Sequence, residues 1–273
     1  MDEPRSAPAR HSRRRFWASA REVVQPTLFF VLLLVLWELA VRAFRIPVYL
    51  LPAPLVIWTE TTRIAGPVAG HTLATLQTIL IGFAVSIAVS LPLAIVITYS
   101  RLFANAVYPL LVLTQSIPKV ALAPILVVAL GANELPRVVV TFLVAFFPLV
   151  ISIATGLLSV PAELIELGRS YKATRFQELH RIRLPYAVPF IFSGLKVAIT
   201  LSVVGAVVGE FVAANRGLGY LITSSTAFFK TPVAFGAMIL LSVLGIVLFQ
   251  ALVIVERVFF PWSAGSGDVH PAA

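Results

Sequence analysis

Long apolar runs separated by short polar stretches set the pattern of this chain, and six of them fall at about residues 26–44, 73–99, 105–129, 137–158, 187–208 and 233–255. An α-helix rises about 1.5 Å per residue, so roughly 20 apolar residues cross about 30 Å of hydrocarbon. Each run therefore predicts a membrane-spanning helix. The runs are continuously apolar rather than alternating, which excludes a transmembrane β-barrel. The expected fold is all-α: an integral membrane bundle of six transmembrane helices, forming one domain over about residues 26–260.

Between the fourth and fifth runs, residues 159–185 form a polar island. After Pro161, Glu163 and Glu166 fall in a first helical turn, where acidic groups favour the positive end of the helix dipole. Leu164, Ile165, Leu167 and Tyr171 supply an apolar face at helical spacing. A second segment, Thr174 to Arg183, carries Phe176, Leu179 and Ile182 at three-residue steps. It is expected to end against Leu184-Pro185, because proline biases the preceding residue out of the helix. A loop serving only as a topology anchor needs charge alone. Two short helices with ordered apolar faces predict a partner that covers them.

Charge decides which side the island occupies. Hydrophobic residues make up 59% of the chain and charged ones 12%, with a formal net charge of +9; a soluble domain is about a quarter charged. With the N-terminus inside, thirteen Lys and Arg residues fall in cytoplasmic segments and six on the other side, Arg137 among the six. Basic residues are retained in the cytoplasm, so both termini and the island are expected there. Nucleic-acid binding would need a folded basic surface with stacking aromatics, whereas the basic N-terminus is an Arg/Ser/Pro/Ala tail. Residues 1–25 are expected to stay disordered or to lie on anionic head groups, and 261–273 to form a flexible tail. The first run lacks a small-residue cleavage site and reads as an anchor, not a removed signal.

Several chemistries are excluded. There are no cysteines, and His11, His71, His180 and His270 show no metal-ligand spacing. Neither a G-x-x-x-x-G-K-[ST] phosphate loop nor a G-x-S-x-G elbow occurs. No catalytic residue, metal site or cofactor is therefore assigned to this chain, and if it moves something uphill the energy comes from elsewhere.

Within the spans, Lys119 is the sharpest candidate for a translocation pathway, because an intramembrane lysine normally faces protein or water. Gln115, Ser116, Pro118 and Pro124 around it loosen the helix and leave backbone groups usable around a cavity. The competing reading pairs Lys119 with a carboxylate such as Glu210, or lets it snorkel. Lys196 is read as snorkelling, and Glu38 as the i, i+4 partner of Arg42. Gly82, Ala84, Ser86, Ala88 and Ser90 line the second span, and Gly205 with Gly209 makes a G-x-x-x-G in the fifth. Such residues let helices approach closely, either within the chain or at a dimer seam.

The island also resembles the cytoplasmic EAA loop of binding-protein-dependent ABC importer permeases: Glu-Ala-Ala, three residues, Gly, nine residues, Ile, one residue, Leu-Pro. Here Glu166-Leu167-Gly168 occupies the triplet, Lys172 the glycine position, and Ile182-Arg183-Leu184-Pro185 the end. A left-handed turn costs a non-glycine residue roughly 1–2 kcal/mol, so either Gly168 makes the turn earlier or Lys172 is helical. Leu51-Pro52-Ala53-Pro54, Gln115 to Ala121 with Ala123-Pro124-Ile125, and Gly209-Glu210-Phe211 with Gly217-Leu218-Gly219-Tyr220 resemble the nitrate, sulfonate and taurine class of these permeases.

The resemblance implies a type I importer permease in a bacterial inner membrane, moving a small anionic solute inward. It implies a homodimer, a pair of ABC ATPase subunits carrying ATP and Mg, and an extracytoplasmic solute-binding protein. It assigns Glu163, Glu166, Leu167, Gly168, Arg169, Lys172 and Ala173 to the ATPase contact, with Phe176 and Leu179 on the second helix as the alternative anchor. Gln115, Ser116, Lys119 and Glu210 become pathway candidates. Two competing functions remain: an ion-coupled secondary transporter, which should show intramembrane carboxylates or an inverted repeat, and a membrane scaffold docking a cytoplasmic partner.

Overall fold

A computed structural model describes residues 10–263 of the chain, with backbone alone for residues 10–23, 101 and 213. Every regular element among them is helical. Helix α1 (Arg10–Ala43) leads through an irregular turn to the short α2 (Pro54–Arg63) and the long α3 (Ala65–Tyr99). Helices α4 (Arg101–Thr114) and α5 (Ala123–Leu130) flank a 3₁₀ turn at Lys119–Leu122, and α6 (Leu135–Leu158) follows. The polar island holds α7 (Ala162–Ser170) and α8 (Arg175–Glu178). A π-helical turn at Leu179–Arg183 runs into α9 (Leu184–Ala213), and α10 (Leu218–Ala227) and α11 (Thr231–Phe259) complete the chain. Five helical stretches are long and apolar enough to cross a membrane, or six if the bent α4–α5 pair counts as one span.

Helix α6 forms the centre of the bundle, packed between α3 and α9. Val140, Ala145, Leu149, Val150, Ile153, Ala154 and Leu157 on it are buried. Small residues on both neighbours allow the close approach: a Cβ on Gly205 would stand 2.8 Å from the Thr141 backbone, and one on Gly209 would stand 2.9 Å from Arg137 Cα. From α3, Ser86 donates to the Phe142 carbonyl at 3.3 Å and Ser90 to the Phe146 carbonyl at 3.4 Å. The G-x-x-x-G and, from the small stripe of the second span, Gly82, Ser86 and Ser90 thus pack inside the chain, while Ala84 and Ala88 are exposed.

Four expectations about elements change. First, α1 begins at Arg10 with Pro26 inside it, so of the two expectations for residues before 26, disorder gives way to helical backbone from Arg10, while a place on anionic head groups stays open; Arg and Ala in this stretch are strong helix formers. Residues 1–9 and 264–273, the outer parts of the expected tails, lie outside the described residues. Second, the third span is two helices meeting at 81°, because Pro118, at φ −72° and ψ 83°, leaves helical space. Third, Pro185 does not end a helix: Arg175 to Val212 is one continuous stretch. A proline ring collides with the carbonyl four residues back and lacks an N–H to donate. The wider π turn at Leu179–Arg183 gives that carbonyl room. Fourth, Arg137 is not a loop charge but is buried in the first turn of α6.

Candidate functional site

At one end of the bundle, α7 stands off the spans as a short amphipathic rod. Pro161 at φ −54° and ψ 137° starts it, Glu163 sits in the first turn and Arg169 in the last, as the helix dipole favours. Ile165 is buried, but Leu167 is 55% exposed, Tyr171 82% and Phe176 73%. Glu163, Glu166 and Arg169 are exposed beside them. The apolar face is therefore divided: Ile165 holds the rod to the protein, and the remainder is uncovered.

The end of α7 explains the glycine position of the loop pattern. Lys172 has φ +57°. Its N–H donates to the Arg169 carbonyl at 2.8 Å, and Ala173 N–H donates to the Gly168 carbonyl at 3.0 Å. That pair of bonds is a Schellman cap with Lys172 in the left-handed position usually held by glycine. Both sequence alternatives fail: Gly168 is helical and packs against Ile182, and the turn is at Lys172. Gly168 and Ala173 are half-buried, while Lys172 points outward with the exposed set.

A second helical start follows at once. Thr174 and Gln177 form a reciprocal capping box, Gln177 N–H to Thr174 Oγ1 at 3.3 Å and Thr174 N–H to Gln177 Oε1 at 2.8 Å. Phe176 then stacks on His180 at 5.9 Å between ring centroids. Beneath them, buried Glu178 pairs with Arg183, Nε to Oε1 at 2.7 Å, and lies 3.8 Å from Arg169. Arg183 also donates to the Leu157 carbonyl at 2.8 Å, where α6 ends. Tyr99, at the end of α3, donates to the Arg175 carbonyl at 3.0 Å. These bonds make the island a rigid extension of α3, α6 and α9.

The broken span has different chemistry. Lys119 is half-buried, with Nζ 4.7 Å above the Phe147 ring and donating to the Gln115 carbonyl at 3.3 Å. Gln115 and Ser116 are exposed at the bend. Lys119 does not pair with Glu210, which is only 1% exposed. Glu210 instead accepts from Thr75 at 2.8 Å and from Gly219 N–H at 2.7 Å. Leu218 N–H donates to Thr75 at 2.7 Å and Gly217 N–H to His71 Nδ1 at 3.0 Å. The first three N–H groups at the start of α10 are thus capped by side chains from α3 and α9. Gly217, at φ +120°, is required there, since a side chain would run into the Glu210 carboxylate. Arg137 completes this cluster by donating to the Arg216 carbonyl at 3.1 Å, and both arginines pair with Glu134.

Three further ion pairs are present in the described residues, the exposed Arg63–Glu60 pair of α2 at 3.9 Å among them. Glu38 pairs with Arg42 as expected and also accepts from Leu55 N–H at 3.0 Å, capping α2. Lys196 does not snorkel; it pairs with buried Glu256 of α11 at 2.6 Å.

A family described as the binding-protein-dependent transport system inner membrane component matches residues 86–262. This chain belongs to that family. The permease is 38% identical to the formylaminopyrimidine transport permease protein of Halalkalibacterium halodurans over 242 residues, covering 88% of this chain and 96% of the relative. It is 35% identical to the riboflavin transport system permease protein of Chloroflexus aurantiacus over 238 residues, 86% of this chain and 88% of that one. Its fold matches an inward-facing structure of the MetNI methionine ABC transporter with a TM-score of 0.60 at 21% identity, over 68% of this chain and 93% of that one. The permease is therefore a multi-pass membrane subunit of a binding-protein-dependent ABC importer whose ATPase is a separate chain, and its fold is of the type I kind found in the MetNI transporter.

The sequence did not single out Tyr99, Glu178 and Arg183 as the side chains that hold the loop to the spans. Glu178 and Arg183 are five apart, a spacing that does not share a face of an α-helix. The π turn brings them together, and Pro185 was the one signal that such a turn was needed.

Proposed function

We propose that this permease imports a small solute by alternating access, with α7 as the element through which ATP-driven closure of the partner ATPase pair moves the spans. The observation that carries the reading is a mismatch within the island: Leu167 on α7, Tyr171 just after it and Phe176 on α8 are uncovered, while the same loop is bonded to α3, α6 and the start of α9. A surface that binds a partner and a base that transmits force are what such a lever requires. Leu167 is the apolar anchor, Glu163, Glu166, Arg169 and Lys172 are its polar rim, and Phe176 stacked on His180 extends it. The ATPase supplies ATP and Mg. The working unit is a homodimer with both termini and α7 in the cytoplasm, and an extracytoplasmic binding protein delivers the cargo.

Leu167→Asp replaces apolar burial of about 2 kcal/mol with a charge. Membrane insertion should be unchanged, and substrate-stimulated ATP hydrolysis by the reconstituted complex should fall by about tenfold or more. Undiminished stimulation in the variant contradicts the proposal.

For the cargo, similarity to permeases named for formylaminopyrimidine and riboflavin supports a nitrogen heterocycle. A second reading, a sulfonate- or nitrate-like anion, is favoured by Lys119 beside the exposed bend. Uptake measured with Lys119→Met separates them: loss of uptake supports the anion pathway, and unchanged uptake removes it.

A further inference from the structure

Behind α7 lies a cavity of about 540 Å³ that shares Arg169 with the lever but otherwise lies outside its contact surface. Its walls come from the ends of two membrane helices, α3 and α6, the start of α4, and the island. Three guanidinium groups line it, Arg169, Arg175 and Arg183, against one carboxylate, Glu178. The Glu178 charge is engaged by Arg183 and Arg169. Among the described residues Arg175 forms no ion pair, and its side chain is exposed. Tyr99 and Ser100 add hydroxyl groups to the lining.

The position is as informative as the charge. Tyr99 and Leu158 are the last residues of spans α3 and α6, so the cavity sits where hydrocarbon gives way to head groups. Leu158 on its wall and Leu102 in the first turn of α4 are both exposed. An occupant thus meets cations at one end and apolar surface at the other.

We propose that this cavity binds the phosphate head group of an anionic phospholipid, with Arg175 as the free cation and its acyl chains running past Leu158 and Leu102. Guanidinium groups suit phosphate because their planar N–H forks match its oxygens. The apolar wall favours a lipid over a soluble phosphate. A lipid there would lie directly under the Glu178–Arg183 brace, so the stiffness of the lever would depend on the composition of the bilayer.

The test uses the full-length permease in nanodiscs of phosphatidylcholine with and without phosphatidylglycerol, with retained lipid counted by native mass spectrometry. A nanodisc exposes both faces, so the outcome does not depend on the proposed topology or on the ATPase. Arg175→Gln should lower phosphatidylglycerol retention about fivefold, one basic residue near a charged surface being worth about 1 kcal/mol. The fold should survive, since Tyr99 bonds the Arg175 backbone and not its side chain. Arg181→Gln removes the same charge from the same loop outside the cavity and should leave retention unchanged; Arg175→Lys should restore most of it. Equal losses in Arg175→Gln and Arg181→Gln would reduce the effect to diffuse surface charge and overturn the site. Displacement of the lipid by an equal concentration of inorganic phosphate would assign the cavity to a soluble anion and overturn it as well.

Discussion

Lys172 carries backbone strain that a glycine would relieve. Its φ of +57° lies where a Cβ costs roughly 1–2 kcal/mol, and the two cap bonds around it hold the end of α7 in place. Lys172→Gly should therefore slow hydrogen exchange at the Lys172 and Ala173 amides by about tenfold, as read by exchange mass spectrometry; unchanged exchange would show that the cap is not limiting. Glu178 and Arg183 stake more on one bond. Removing Arg183 leaves a buried carboxylate, a loss of about 3–5 kcal/mol, set toward the low end because Arg169 remains 3.8 Å away. Arg183→Ala should lower the thermal unfolding midpoint of the purified permease, and Glu178→Gln with Arg183→Met together should recover most of the loss. At this scale the sequence was informative where a residue's partner lies one helical turn away, as Arg42 does from Glu38. It was silent where neighbours assign the role: nothing local to Glu210 announces that it caps α10, because Thr75 and Gly219 reach it only after folding.

Among elements, the apolar runs located the long spans closely, since burial in lipid leaves a pattern that composition alone reveals. The breaks were harder to place. Pro118 and Pro185 read alike in sequence, yet one bends a span by 81° and the other is absorbed into a continuous helix by a π turn. The difference lies in what packs around them: the Arg183 bond to Leu157 and the Glu178 pair hold the second helix together across its proline. Helices α2 and α10 were not anticipated as elements, being short and dependent for their starts on side chains from elsewhere, Glu38 for one and Glu210, Thr75 and His71 for the other. The α6–α9 seam permits a sharper test. Because a Cβ at Gly205 would stand 2.8 Å from the Thr141 backbone, Gly205→Leu must part the two helices, at a cost of about 1–3 kcal/mol. Its unfolding midpoint in detergent should fall, whereas Gly245→Leu on α11, where the nearest atom is Val203 Cγ2 at an ordinary contact distance of 3.8 Å, should change it little.

For the whole molecule, the spans close on each other around α6 and leave α7 as an extension with an uncovered apolar face. That arrangement suits a machine whose energy source is another chain. The orientation we propose rests on the charge asymmetry of the sequence, from which Arg137, a buried structural cation, drops out. The central claim is that α7 meets the ATPase in the cytoplasm, and the absence of native cysteines makes it directly measurable. With Leu167→Cys in the permease co-expressed with its ATPase, a heterobifunctional cross-linker with one thiol-reactive and one amine-reactive end should join the new thiol to a lysine of the ATPase, and a membrane-impermeant thiol reagent should fail to label this position in intact cells. Labelling from outside, with no cross-link to the ATPase, would contradict the account.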